Sequence, residues 1–185
     1  MERLCLKGLD IKKVQYSDSY EHLLQRYPSA NSNMDHYVIT HSKEDKDNGK
    51  GLTFLFVSED EEYLYGYYSL FATSIVYADD ESDEFVGIPS IELKLFAINN
   101  DLSGKGFVSS IDGKSYKYSD MLLASIIADI KYYSDELIGI QAIVLRSTKK
   151  ALNFYLGNNF SEFSDYLNLP YDGFSKKCIH LILPL

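Results

Sequence analysis

Lys114, Ser115, Lys117 and Ser119 stand just ahead of a long apolar helical pattern, in a stretch that also carries Gly104, Gly106 and Gly113. The first turn of a helix has free backbone N–H groups and lies at the positive end of the helix dipole. A loop that feeds such a turn can hold phosphate. Gly104-Lys105-Gly106 is a second candidate phosphate loop. Gly113-Lys114-Ser115 lacks the earlier glycine that a P-loop requires, because Val108 stands in its place. Glu92 sits among apolar residues of a strand. A carboxylate there can take a proton from an amine if burial raises its pKa, and otherwise reads as an exposed glutamate paired with a lysine. Tyr155, taken alone, is either a proton donor or a packing residue of a helix. Tyr63, Tyr65, Tyr67 and Phe71 share one strand parity, which makes either a packed sheet face or the wall of an acceptor groove. His22, His36, His41 and His180 are scattered and share no ligand spacing with a cysteine, so no metal is expected. Asp79, Asp80, Glu81, Asp83 and Glu84 read as a solvated acidic loop.

These residues need elements to position them. Leu4 to Val14 alternates weakly and is predicted as a first strand. Ser17 can cap a short helix over Asp18 to Arg26, stopped ahead of Pro28. Asn31 to Asn33 is turn-like, and Asp35 to Ser42 a second helix closed by the polar run up to Gly51. Leu52 to Ser58 and Tyr63 to Tyr77 read as paired strands, followed by a strand from about Ile88 to Asn99. Phe107 to Ile111 and Lys114 to Tyr118 flank Asp112-Gly113, a two-residue hairpin signal. Ser119 to Leu137 is a long helix with Asp120 in its first turn and Gly139 beyond its end. Ile140 to Leu145 is a strand, Thr148 to Leu156 a helix and Cys178 to Leu183 the last strand. The order predicts an α/β fold, mixed α+β in detail, with one sheet that is antiparallel in its first half. No linker or repeat divides residues 1–185, which read as one domain.

The 185 residues suffice for a sizeable core, and 45% hydrophobic residues mark a globular chain. Sixteen tyrosines and ten phenylalanines with no tryptophan favour a sheet-containing fold. A net charge of −9 argues against a basic nucleic-acid face, so no nucleic-acid partner is expected. Cys5 and Cys178 form no CxxC pair and read as free thiols in a reducing compartment. No apolar run spans a membrane and no signal-peptide core opens the chain, so a cytoplasmic protein without a membrane partner is expected.

From about Ile88 to Phe160 the motifs, their order and their spacing resemble the GNAT family of acetyl-CoA-dependent N-acetyltransferases. Phe96-Ala97-Ile98-Asn99 resembles the family's fourth strand. Leu122-Leu123 aligns Lys114 to Ser119 with the family's Q/R-x-x-G-x-G/A loop, with Lys114 at the basic position, Ser119 at the small one and Lys117 in place of the central glycine. Thr148-Lys149-Lys150-Ala151-Leu152-Asn153-Phe154-Tyr155, leading to Asn159-Phe160, resembles N-x-x-A-x-x-L/F-Y with its following G/N-F. Glu92 stands six residues before Ile98, the spacing of the glutamate in the histone-acetyltransferase branch.

The resemblance implies a GNAT-like fold, a mostly antiparallel sheet splayed at the cofactor site and flanked by helices. It implies acetyl-CoA as acetyl donor, lying between the strand that ends at Asn99 and the strand that begins at Ile140. Phe96, Ala97 and Ile98 would bond the pantetheine arm. Lys114, Lys117, Tyr118, Ser119 and Asp120 would hold the pyrophosphate, with lysine charge standing in for the missing glycine. Thr148 and Ala151 would contact CoA, Tyr155 would protonate its sulfur, and Glu92 would be the base. The acceptor would be a primary amine on a small molecule or protein, attacking directly in a ternary complex; a homodimer is compatible with this. The departures at Lys117 and Thr148 support the rival reading, a CoA-binding regulatory module of the same fold without turnover.

Overall fold

The computed structural model describes residues 4–6, 9–78, 85–108, 113–163 and 178–185. The acidic run from Asp79 to Glu84 and Asp112 of the hairpin turn lie outside the described residues.

The predicted first strand is two strands. β1 (Leu4–Leu6) and β2 (Leu9–Gln15) pair antiparallel with Leu6 opposite Leu9. The apolar parity shifts from even at Leu4 and Leu6 to odd at Leu9 and Ile11, the mark of a reversal rather than a continuing strand. A 3-10 turn over Asp18–Tyr20 leads into α1 (Glu21–Arg26), which stops ahead of Pro28. Ser17 does not cap it, because its hydroxyl bonds that of Ser19 at 2.7 Å. α2 (Ser32–Asp47) has 16 residues and runs beyond both predicted ends. Asn31 caps it by accepting the Asn33 N–H at 3.2 Å. The polar run from Ser42 to Asp47 stays helical because two of its polar side chains are buried with partners: Ser42 bonds Thr53 at 2.8 Å, and Asp45 accepts the Tyr37 hydroxyl at 2.7 Å.

β3 (Gly51–Ser58), β4 (Leu64–Ala78) and β5 (Phe85–Ile98) follow. β6 (Gly106–Val108) and β7 (Ser115–Lys117) form a hairpin at the expected place, as a small sheet of their own, but Val108 pairs with Ser115 where a two-residue Asp112-Gly113 turn would pair it with Lys117. α3 (Tyr118–Glu136) and β8 (Ala142–Ser147) come next. α4 (Leu152–Gly157) starts later than predicted, because Thr148 to Ala151 is a turn closed by the Ala151 N–H on the Thr148 carbonyl at 3.0 Å. β9 (Ser161–Glu162) is too short to leave a sequence pattern, and β10 (Ile179–Pro184) is last. The main sheet runs β1-β2-β3-β4-β5-β8-β10-β9. β1–β2, β2–β3, β8–β10 and β9–β10 are antiparallel, and β5–β8 is parallel.

The chain packs as two compact units, Met1–Leu70 with Leu95–Ile127, and Phe71–Lys94 with Ala128–Leu185. The core of the first gathers Leu23 and Leu24 of α1, Val38 of α2, and Leu55, Val57, Leu64, Tyr67 and Leu95 of the strands. Its polar interior is also paired: Ser42, Thr53 and Ser69 chain their hydroxyls, and Tyr67 donates to Asp35 at 2.6 Å. Tyr67 is thereby held protonated, pushed up by burial and by its bond to Asp35. The second unit packs Ile75, Ala142 and Val144 together, with Ile88, Phe163 and Ile182 at the edge.

Candidate active site

In the first unit the chemistry-bearing segment starts at the end of β5. Phe96, Ala97 and Ile98 are half-buried, and β4 passes very close to them. Gly66 makes that approach possible, since a Cβ there would lie 2.5 Å from the Ala97 carbonyl oxygen. Asn99 ends the strand and is buried with its side chain fully used. Its Nδ2 donates to the Tyr63 hydroxyl and the Leu64 carbonyl, each at 2.9 Å, and its Oδ1 accepts the Asp101 N–H at 2.8 Å. The sequence reading took Asn99 only as the strand's last residue; the signal for its capping role was the Asn-Asn-Asp run, a turn-forming composition.

The segment aligned with the family's phosphate loop is not a loop. Ser115–Lys117 is strand β7, with Lys117 opposite Gly106, Tyr116 opposite Phe107 and Ser115 opposite Val108. Lys114 and Lys117 are exposed, while Tyr118, Ser119 and Asp120 are half-buried in the first turn of α3. The Tyr118 N–H donates to the Lys105 carbonyl at 3.2 Å. The N–H groups after it have no intrahelical acceptor, as at any helix start. Phosphate affinity here would therefore rest on the helix turn and on lysine side chains.

In the second unit the parallel pair of β5 and β8 is short. Ser90, Ile91 and Glu92 pair with Ala142, Ile143 and Val144. Beyond that register Leu93 and Lys94 continue β5, and Leu145 to Ser147 continue β8, without pairing to each other. Glu92 lies where the pairing stops. Its carboxylate faces Arg146 Nε at 3.4 Å, with both side chains largely buried at 13% and 15% exposure. Arg146 stands opposite His180 of β10. Glu92, Arg146 and His180 thus form a polar row across three neighbouring strands on one face. Burial, and then the Arg146 charge, push the His180 imidazole below its ordinary pKa. The lysine partner considered for Glu92 is an arginine. Arg146, the one charged residue in the apolar run of β8, was the available signal.

Tyr155 sits on α4 at 8% exposure, edge-on to Phe154 at 5.0 Å and to Phe160 at 5.7 Å. Among the described residues its hydroxyl makes no hydrogen bond. Burial pushes the phenol above its ordinary pKa, so it stays protonated at neutral and alkaline pH. Thr148 is exposed, and Ala151, half-buried, precedes the first residue of α4. The Ala151 carbonyl accepts the Phe154 and Tyr155 N–H groups at 3.1 and 3.3 Å, which places Ala151 and Tyr155 on one side of the turn. Among the described residues no helix is long and apolar enough to cross a membrane.

No family model matches the chain, and no curated protein does. Solved structures do. A tyrosine-to-phenylalanine mutant of the AtaT toxin, bound to acetyl-CoA and the C-terminus of the antitoxin AtaR, is 18% identical, with 94% of this chain and 92% of that one covered at a TM-score of 0.69. AtaT complexed with acetyl-methionyl-tRNAfMet is 19% identical over 95% of each chain, TM-score 0.66. The KacTA–DNA complex is 19% identical over 94% and 92%, TM-score 0.66. The likeness establishes the fold, mixed α/β and GNAT-like, as the motifs implied. It also overturns the expectation of no nucleic-acid partner, since proteins of this fold are held in complexes with a tRNA and with DNA. Net charge sums a whole surface, whereas nucleic-acid recognition depends on where the cations lie.

Proposed function

We propose that the chain, as one domain over residues 1–185, is an acetyl-CoA-dependent N-acetyltransferase whose acceptor is the α-amino group of an aminoacyl-tRNA. The observation that carries the proposal is the parallel pair of β5 and β8 that parts after Glu92 and Val144. Strands that part leave backbone groups to bond an amide-bearing arm such as pantetheine. AtaT, of the same fold, is held with acetyl-CoA in one structure and with acetyl-methionyl-tRNAfMet in another.

The reaction balances with the side chains in hand. The neutral amine attacks the thioester carbonyl, a C–N bond forms and the C–S bond breaks. The departing thiolate takes the proton of Tyr155, which burial keeps on the phenol until it is needed. The surplus amine proton passes to Glu92. Phe96, Ala97 and Ile98 would bond pantetheine; Lys114, Lys117, Tyr118, Ser119 and Asp120 would hold the pyrophosphate; Thr148 and Ala151 would border the arm near Tyr155. The ion pair between Glu92 and Arg146 favours an acceptor that asks little of a base. An α-amine, with a pKa near 8, is far more often neutral at physiological pH than a lysine amine near 10.4. Such an acceptor would be met in the cytoplasm. The strand at Ser115–Lys117, where the family has a glycine loop, supports a second reading, a CoA-binding module without turnover.

The test is calorimetric binding of acetyl-CoA followed by a panel of alkylamines, peptides and aminoacyl-tRNAs read by free CoA release. Binding with release on aminoacyl-tRNA is expected. Binding without release on any acceptor would favour the second reading, and no binding would end both.

A further inference from the structure

The β6–β7 hairpin has a composition unlike the rest of this acidic chain. Between Gly104 and Tyr118 stand three lysines, Lys105, Lys114 and Lys117, and one acid, Asp112. An isolated two-stranded hairpin is marginal in water, and this one forms no part of the main sheet. Its two faces differ. Register puts Phe107 opposite Tyr116, and their rings lie 6.1 Å apart. Tyr118 extends this side, with its ring 5.5 Å from Phe107. Lys105, two residues before Phe107, is tied to the same end by its carbonyl, which accepts the Tyr118 N–H. Lys114 enters the other strand two residues before Tyr116. An aromatic tier is thus bracketed by two exposed lysines, and Tyr116 is 40% exposed. Lys117 lies on the opposite side, across from Gly106, where a side chain would collide with the Tyr116 carbonyl. A side chain at position 106 would therefore push apart the two strands that assemble the tier.

We propose that this face binds the 3′-phosphoadenosine end of acetyl-CoA, with Tyr116 stacking on the adenine and Lys105 facing its 3′-phosphate. The inference rests on the acetyl-CoA reading above and extends it to the adenosine end of the cofactor, to which that reading assigns no residue. The geometry favours this occupant because the tier is rooted at Tyr118, the first residue of α3, where the pyrophosphate is proposed. The adenosine is joined to that pyrophosphate by one ribose carbon, and a strand advances about 3.3 Å per residue, so Phe107 and Tyr116 stand within reach. Aromatic side chains between cations match a nucleotide, which offers a π-face and a dianion together.

The experiment is a truncation series measured by calorimetry on the whole protein with acetyl-CoA, acetyl-dephospho-CoA and acetyl-pantetheine. The wild type is expected to bind acetyl-CoA roughly 10-fold tighter than acetyl-dephospho-CoA, a discrimination that falls with salt. Lys105→Ala should weaken acetyl-CoA alone, and Tyr116→Ala should weaken both nucleotide forms by roughly 10-fold or more while sparing acetyl-pantetheine. Equal wild-type affinity for acetyl-CoA and acetyl-dephospho-CoA would overturn the inference without any variant having to fold. So would variants with unchanged acetyl-CoA affinity but a raised KM for aminoacyl-tRNA, which would assign the hairpin to the RNA. Failure of the wild type to bind acetyl-CoA at all would instead refute the acetyltransferase reading from which the inference starts.

Discussion

Replacing Tyr155 by phenylalanine separates the packing role of that ring from its chemistry. The ring is buried between Phe154 and Phe160, and the substitution keeps both edge contacts. Only the hydroxyl is removed, and among the described residues it makes no hydrogen bond. Its loss orphans no partner, so stability should stay within about 1 kcal/mol of wild type. In a chain of this size that is a change in Tm of about 2–4 °C at most. Turnover should fall by roughly 10²-fold, the scale for removing a general acid, which is about 2.7 kcal/mol of barrier. The assay is a thermal melt, acetyl-CoA calorimetry and CoA release on one preparation of Tyr155→Phe. A fall in Tm of several degrees would show that the hydroxyl holds a partner and that the packing argument is wrong. Wild-type turnover with intact binding would show Tyr155 to be a packing residue only.

Gly66→Ala should destabilise the fold by about 1–3 kcal/mol in denaturant melts, because its Cβ would meet the Ala97 carbonyl at 2.5 Å, and should weaken acetyl-CoA binding along the same strand; unchanged stability would mean that the strands shift freely. Glu92→Gln should lower turnover and remove the acidic limb of the pH–rate profile when the acceptor is an alkylamine; full activity with the same acidic limb would leave Glu92 a structural role. Stability should fall as pH rises above about 10. The unfolded chain releases its phenol protons near there, whereas Tyr20, hydrogen-bonded to the Glu61 carboxylate at 2.6 Å, holds its proton to about 12. Between those values the unfolded state binds fewer protons, so Tyr20→Phe should lessen the alkaline loss in pH-dependent melts, and an unaltered curve would exclude Tyr20 as a contributor.

Features with local chemistry were legible before the structure. The long helix follows from its apolar period and the end of α1 from Pro28, each decided within a few residues; Asp112-Gly113 marked that a hairpin occurs but not its register, because Val108 pairs with Ser115 and not with Lys117. What stayed hidden depends on partners far along the chain. The helix through Lys43 to Asp47 is held by Thr53 and Tyr37, and no local pattern marks a polar run as buried on one side. The ion pair of Glu92 with Arg146 needs the parallel register of β5 and β8, which the long stretch between the two residues conceals. The motif centred on Leu122-Leu123 located α3 correctly, since both leucines are fully buried, but the segment ahead of it is a strand because the hairpin occupies the place of a loop. The acidic net charge misled for a simpler reason: a sum of −9 over the whole chain says nothing of where its cations lie.

The central claim is transfer of an acetyl group from acetyl-CoA to an RNA-borne amine, and one labelling experiment meets it head-on. The protein is incubated with radiolabelled acetyl-CoA and tRNA, charged or uncharged, and the RNA is precipitated and then hydrolysed in mild alkali. The expected result is label that precipitates only with charged tRNA, leaves the RNA on hydrolysis as an N-acetyl amino acid, and is lost with Tyr155→Phe. Label on uncharged RNA, on a polyamine or on the protein itself, with none on aminoacyl-tRNA, would contradict it.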